Sequence, residues 1–196
     1  MMRFRMSWLV VASCTVLLSA CARPEEEDVF PDTDRSTTDD NLALANAAIQ
    51  PLTPVASLPG GSVNYSGVLA ASVTGDYTGS LYADLDMTVD FAAFDVTGMV
   101  GNVDLIDDAT GDVVQDLRGT PALNGTADQG AIAGQVTGTL TGVGSVTGVS
   151  TASFILGGTT RTGTTPGDTI YGPVIGNTFG GFNLAMSNGE FYASAD

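Results

Sequence analysis

The sequence predicts an all-β protein: a single antiparallel eight-stranded β-barrel over residues 61–196, after an apolar leader (1–20) and a disordered acidic tether (21–60). Three observations lead to it. Past Gly61 apolar and polar residues alternate with a period of two, as half-buried strands require. Clusters of Gly, Asp, Asn and Ser punctuate the alternation at short intervals. The chain also carries 25 glycines, and their density among the threonines of the body makes helix too costly.

The leader comes first. Arg3 and Arg5 precede an apolar run, Ser7 to Leu18, which is too short to span a bilayer as a helix. Leu18-Ser19-Ala20-Cys21 then resembles the lipobox of bacterial lipoproteins. That resemblance implies cleavage between Ala20 and Cys21, diacylglycerol on the Cys21 thiol and acylation of its amine. Covalent lipid on Cys21 is the one attached group expected, with no other cofactor. An ordinary secretory leader, leaving Cys21 as a free thiol, is the alternative. Cys14 lies within the leader, so two cysteines make no disulfide framework. Each buried acyl methylene contributes about 0.8 kcal/mol to anchoring, so two or three chains would hold firmly. Ala22, where enterobacterial lipoproteins kept at the inner membrane have Asp, implies transfer to the outer membrane.

The tether follows. Glu25-Glu26-Glu27-Asp28 is a solvated acid run, and the segment has too little apolar surface to offset its ordering entropy. One short helix is expected over residues 39–49, capped by Asp39 or Asp40, with Leu42, Ala45 and Ile49 on one face and Pro51 as its stop. Pro51, Pro54 and Pro59 keep the approach to the body extended.

In the body, the alternation and turn signals place strands near 63–73, 80–91, 94–106, 119–127, 131–142, 145–157, 177–186 and 189–195. The clearest runs from Leu81 to Phe91, with Leu, Ala, Leu, Met, Val and Phe on one face and Tyr, Asp, Asp, Thr and Asp on the other. Expected turns include Thr74-Gly75-Asp76, the segment 107–112, Asp128-Gln129-Gly130, Gly142-Val143-Gly144, Gly157-Gly158 and Ser187-Asn188-Gly189. Glycine between larger apolar residues suits the tapering, strongly coiled interior of a small barrel. A membrane-spanning barrel would turn the apolar face outward. The lipid signal, the lack of aromatic girdles and the C-terminal Ser194-Ala195-Asp196 argue for an apolar interior instead.

Composition excludes several functions. Six arginines stand against 22 acids, with no lysine and no histidine. Loss of residues 1–20 leaves four arginines, a net charge of −18. Nucleic acid is excluded as a partner, because phosphate binding needs a basic footprint. Without His or Lys no Ser-His or Ser-Lys nucleophile can be built, and the imidazole metal ligand is missing. Asp84 and Asp86, about 7 Å apart on one outward strand face, are expected to be solvated rather than catalytic. The protein is expected not to be an enzyme.

Several short motifs in the body resemble the β-barrel domain of transferrin-binding protein B and its relatives, a family that includes factor H-binding and other surface lipoproteins of Gram-negative bacteria. Ser57-Leu58-Pro59-Gly60-Gly61 through Gly67 is similar to that domain's lead-in. Gly79-Ser80-Leu81 through Thr88-Val89-Asp90-Phe91, then Val96-Thr97-Gly98, resembles its hairpin, and Ile170-Tyr171-Gly172-Pro173 its F-Y-G-P motif before Gly180-Gly181-Phe182. The resemblance covers residues 57–196. It departs at Val174–Phe179, where the family is polar and acid-containing, and there is no room for the handle domain of two-lobed transferrin receptors. It therefore implies the barrel and the surface-lipoprotein habit, with an outer-membrane translocator or receptor as partner, and not transferrin binding.

Three candidate sites remain. Tyr171, Gly172, Pro173, Val174 and Ile175 are read as an apolar loop that either folds over the barrel end or offers a protein contact, with Tyr82 and Tyr171 as anchors. Asp104, Asp107, Asp108 and Asp112 surround Thr110-Gly111; hard oxygens there would take calcium weakly, and a polar hairpin turn is the plainer reading. Interior glycines would either leave a ligand cavity or allow close packing, and packing is favoured. The expected product is an outer-membrane lipoprotein acting as a non-enzymatic binding module, at the cell surface in preference to the periplasmic face. The alternative is a structural envelope lipoprotein supporting an outer-membrane machine. The acidic body favours basic or cationic partners.

Overall fold

A computed structural model describes residues 44–45, 58–162 and 166–196. Ala20, Cys21 and nearly all of the tether lie outside the described residues, and of the helix expected over 39–49 only Leu44 and Ala45 are described, both helical.

The body is all β. Its strands are β1 (Ser62–Gly75), β2 (Gly79–Asp90), β3 (Asp95–Ile106), β4 (Val113–Leu117), β5 (Ala122–Asp128), β6 (Ala131–Val143), β7 (Thr147–Thr162), β8 (Pro166–Gly180) and β9 (Leu184–Ala195). Every pairing is antiparallel, and the order β2-β1-β9-β8-β7-β6-β5-β3 closes on itself through β2–β3. β4 continues the line of β5 along β3, so nine segments make a closed barrel of eight strands.

The alternation decides which face is inside. Leu81, Ala83, Leu85, Met87 and Val89 of β2 are buried, whereas Asp86 between them is exposed. Tyr65, Phe154, Phe182, Phe191 and leucines such as Leu69, Leu85 and Leu140 fill the axis with essentially no exposed area. Burial of each such side chain is worth roughly 1.5–3 kcal/mol. An apolar interior with Ser, Thr, Asn and Asp outside is the reverse of a membrane-spanning barrel.

Glycine is what lets strands this long coil into so small a circle. A Cβ on Gly172 would collide with the Gly157 carbonyl and Gly158 Cα of the neighbouring strand, and one on Gly67 with the Tyr192 carbonyl. Gly157-Gly158 is therefore no turn: β7 runs through it, because those glycines lie where β8 crosses closely.

Three further expectations are corrected. The fourth strand begins at Val113 rather than 119 and breaks at residues 118–121, where Pro121 has no N–H to donate and the Arg118–Thr141 bridge holds the line. Ser187-Asn188-Gly189 is a bulge inside β9, with Asn188 at φ 52°, and the turn falls instead at Gly181–Asn183. Residues 166–176, read as loop, belong to β8. Asp128-Gln129-Gly130-Ala131 is the two-residue hairpin expected, with both central residues at positive φ (49° and 84°).

Side chains plug one end of the barrel. Gln115 on β4 donates to the Val146 carbonyl (3.0 Å) and accepts from the Val146 N–H (2.8 Å), closing the seam where β4 splays from β6. The Ser150 hydroxyl donates to the Phe182 carbonyl (2.6 Å) and accepts from the Phe182 N–H (2.7 Å), holding the Phe182 ring over the core. At the other end the Tyr65 hydroxyl donates to the Gly167 carbonyl at 2.7 Å.

Removing the seam bonds strands the buried Val146 N–H, while the Val146 carbonyl keeps the Gly144 N–H at 3.1 Å. Gln115→Ala is expected to cost about 1–3 kcal/mol in urea denaturation, whereas Gln135→Ala on the exposed face of β6 should stay within about 0.5 kcal/mol. Equal effects would contradict the seam's role.

A candidate contact surface outside the barrel

The five residues read as an apolar loop lie in β8, whose pleat divides them. Gly172 and Val174 point inward and are buried; Tyr171, Pro173 and Ile175 face outward. β8 tolerates Pro173 beside an irregularity between Val174 and Gly176 in its pairing with β9. Tyr171 stands directly across from Tyr192 on β9, and the Arg161 guanidinium carbon lies 4.5 Å from the centre of its ring. Tyr82 belongs to the same outer row: it pairs with Ala70, Ala70 with Glu190, and Glu190 with Pro173.

Further along, the outer face becomes uncharged and partly apolar. Ile155 of β7 and Ile175 of β8 are direct cross-strand partners, each 55% exposed. Towards the plugged end Phe179, Val149 and Val143 are 52%, 58% and 73% exposed. Thr137, Ser153 and Asn177 fill the row between the two groups. From Ala131 to Thr160, and again from Thr169 to Gly189, there is no ionisable side chain except Tyr171. β2, β3 and β4 differ: Asp84, Asp86, Asp95 and Asp116 line their outside. The barrel therefore has an acidic side and a neutral one.

The expected acid clusters do not converge. The Asp107 carboxylate accepts from the N–H groups of Ala109 (2.7 Å) and Thr110 (3.2 Å), and Asp108 accepts from the Ser80 hydroxyl (2.6 Å). These are the bonds of a polar hairpin turn. Asp104 is buried on β3, opposite Asp116, away from that turn. Among the described residues no group of three or more His, Cys, Asp or Glu could hold a metal ion. Asp84 accepts from the Asn102 amide at 2.7 Å, and Asp86 stands exposed beside Ser66.

A shallow open groove crosses the outside of β1, β2 and β3, lined by Asn64, Asp86, Thr88, Thr97, Met99 and Asp196. Its polar groups are tied to one another: Thr88 donates to Asn64 (2.9 Å) and Ser66 to Asp196 (2.8 Å).

No protein-family model matches the chain, and no curated protein matches it. The paired isoleucines escape sequence reading because Ile155 sits in a nearly continuous apolar run and Ile175 follows Gly172-Pro173, a loop-like composition. The lack of charge between residues 131 and 160 was the available signal.

Two tyrosines make the barrel sensitive to alkali. Burial, with the Asp168 charge adding, pushes the Tyr65 hydroxyl up to about 12. Burial, then the hydrogen bond to Glu190 and its charge, outweigh Arg161 and push Tyr171 up to about 12. In the unfolded chain both ionise near the ordinary value of 10.0. Their contribution is thus complete below the unfolded value and is lost as pH rises through the folded one. Urea midpoints should fall between about pH 10 and 12, more gently in Tyr65→Phe; an unchanged slope in that variant would contradict the assignment.

Proposed function

We propose that the chain is a lipid-anchored lipoprotein of the outer membrane whose barrel, of the transferrin-binding protein B-like kind, is a non-enzymatic binding module displayed at the cell surface. The observation that carries the binding reading is the outward band in which exposed Pro173, Ile175 and Ile155 continue from half-buried Tyr171, on the less charged side of an otherwise acidic barrel. Anchoring is supported by Leu18-Ser19-Ala20-Cys21 after a basic, apolar leader.

The chain's net charge repels anionic headgroups and favours basic partners. Catalysis has little to work with, since the acids that hairpin or strand geometry places outside are solvated or engaged in turns. An outer-membrane translocator or receptor is the partner that display would require.

Protease shaving of intact cells, beside permeabilised cells and a Cys21→Ala variant, tests this reading. Cleavage of the barrel on intact cells and release of Cys21→Ala into the soluble fraction are expected. Cleavage only after permeabilisation would overturn surface display, and a membrane-bound Cys21→Ala would overturn the lipid anchor.

A further inference from the structure

We propose that the uncharged outer face of β6, β7 and β8 pairs with the same face of a second copy of this chain. The proposal deepens the binding reading above by naming the partner for one part of the surface, and it rests on reading that face as a contact surface.

Charge selects the face. Two copies that approach through β2, β3 and β4 would set Asp84, Asp86, Asp95 and Asp116 of one against those of the other, in a protein with a net charge of −16 or below. Like charges directly opposed across a contact are strongly disfavoured. Through β6–β8, Thr, Ser, Asn and exposed aliphatic side chains meet their own kind. Carboxylates border the stretch from Val149 to Ile155 without entering it: Glu190 on the β9 flank, Asp128 at the end of β5, Asp168 at the tether end of β8 and Asp116 on β4 beside β6.

Size and symmetry agree. Three strands spaced about 4.8 Å apart, with some thirteen residues each at about 3.3 Å, present roughly 600 Å². That approaches the ~800 Å² per partner of a standard stable interface. A twofold contact needs a patch complementary to itself. Here the Ile155–Ile175 pair and the Val149–Phe179 group flank a polar row of Thr137, Ser153 and Asn177. A twofold axis through Ser153 would lay each apolar group of one copy against an apolar group of the other. Copies held on one membrane meet at high effective concentration.

Disulfide trapping of the full chain in its own envelope tests this. Ser153→Cys lies at the centre of the face, and Ser66→Cys on β1 is a control on the far side. Mild oxidation is expected to shift the bulk of Ser153→Cys to twice the chain's mass, with neither Ser66→Cys nor the unaltered chain following. Adding Ile155→Asp, with Ile175 left in place so that no two carboxylates face each other across the strands, should abolish the species while leaving the thermal midpoint nearly unchanged, because that side chain is exposed. Raising salt should increase trapping, since screening relieves acid–acid repulsion alone. No trapping, or equal trapping at Ser66→Cys, would overturn the proposal. A disulfide to a different protein would overturn self-pairing while supporting the contact-surface reading.

Discussion

Closure of the ring is the constraint on which the rest depends. β1 hydrogen-bonds to β2 along one edge and to β9 along the other, so the first and last strands of the body complete the circle, and the pairing thins only at the seam where β4 meets β6 through the Arg118–Thr141 bridge. A closed eight-stranded ring encloses one rank of side chains from each strand and little else. That leaves each strand two faces with opposite demands. The inner one must be apolar and matched in size around the ring; the outer one is free to carry whatever the protein needs.

Both demands leave marks at particular residues. Inside, Leu69, Leu85, Leu140 and Phe154 fill the axis, while Gly67 and Gly172 give up their side chains so that β9 and β7 can pass close by. The ring also has ends, and its backbone groups there need partners. Gln115 supplies them for the turn before β7 and Ser150 for the turn before β9, each with two bonds to one residue. Outside, freedom from packing has let charge separate: aspartates gather on β2 to β4, while β6 and β7 carry none between Ala131 and Thr160, nor does β8 from Thr169 to Gly180. Such a division orients the molecule towards anything charged nearby, including its own copies.

The fold was legible because period-two alternation reports burial directly. Leu81 to Phe91 reads as a strand whose apolar face packs inward, and so it is. The count of eight also held, although β4 and β5 share one place in the ring. Misreadings fell where glycine has two uses. Gly157-Gly158 and Ser187-Asn188-Gly189 look like turns by composition, yet the first is a close crossing and the second a bulge. That pushed the last two strands out of place and made a loop of Tyr171–Ile175. The outward band was therefore visible residue by residue, but not as a surface, because Ile155 and Ile175 meet only through a pairing that no local pattern encodes. The aspartates near residue 107 were legible as a turn, since Asp before Ala-Thr-Gly accepts its own backbone N–H groups.

Amide hydrogen exchange along β1 tests closure most directly. Successive amides of an antiparallel strand point alternately to its two neighbours. If the ring is closed, amides from Tyr65 to Val73 on both alternations exchange slowly, apart from the bulge at Ala71. Slow exchange on every second amide, with loop-like rates on those facing β9, would mean an open sheet and would contradict the barrel.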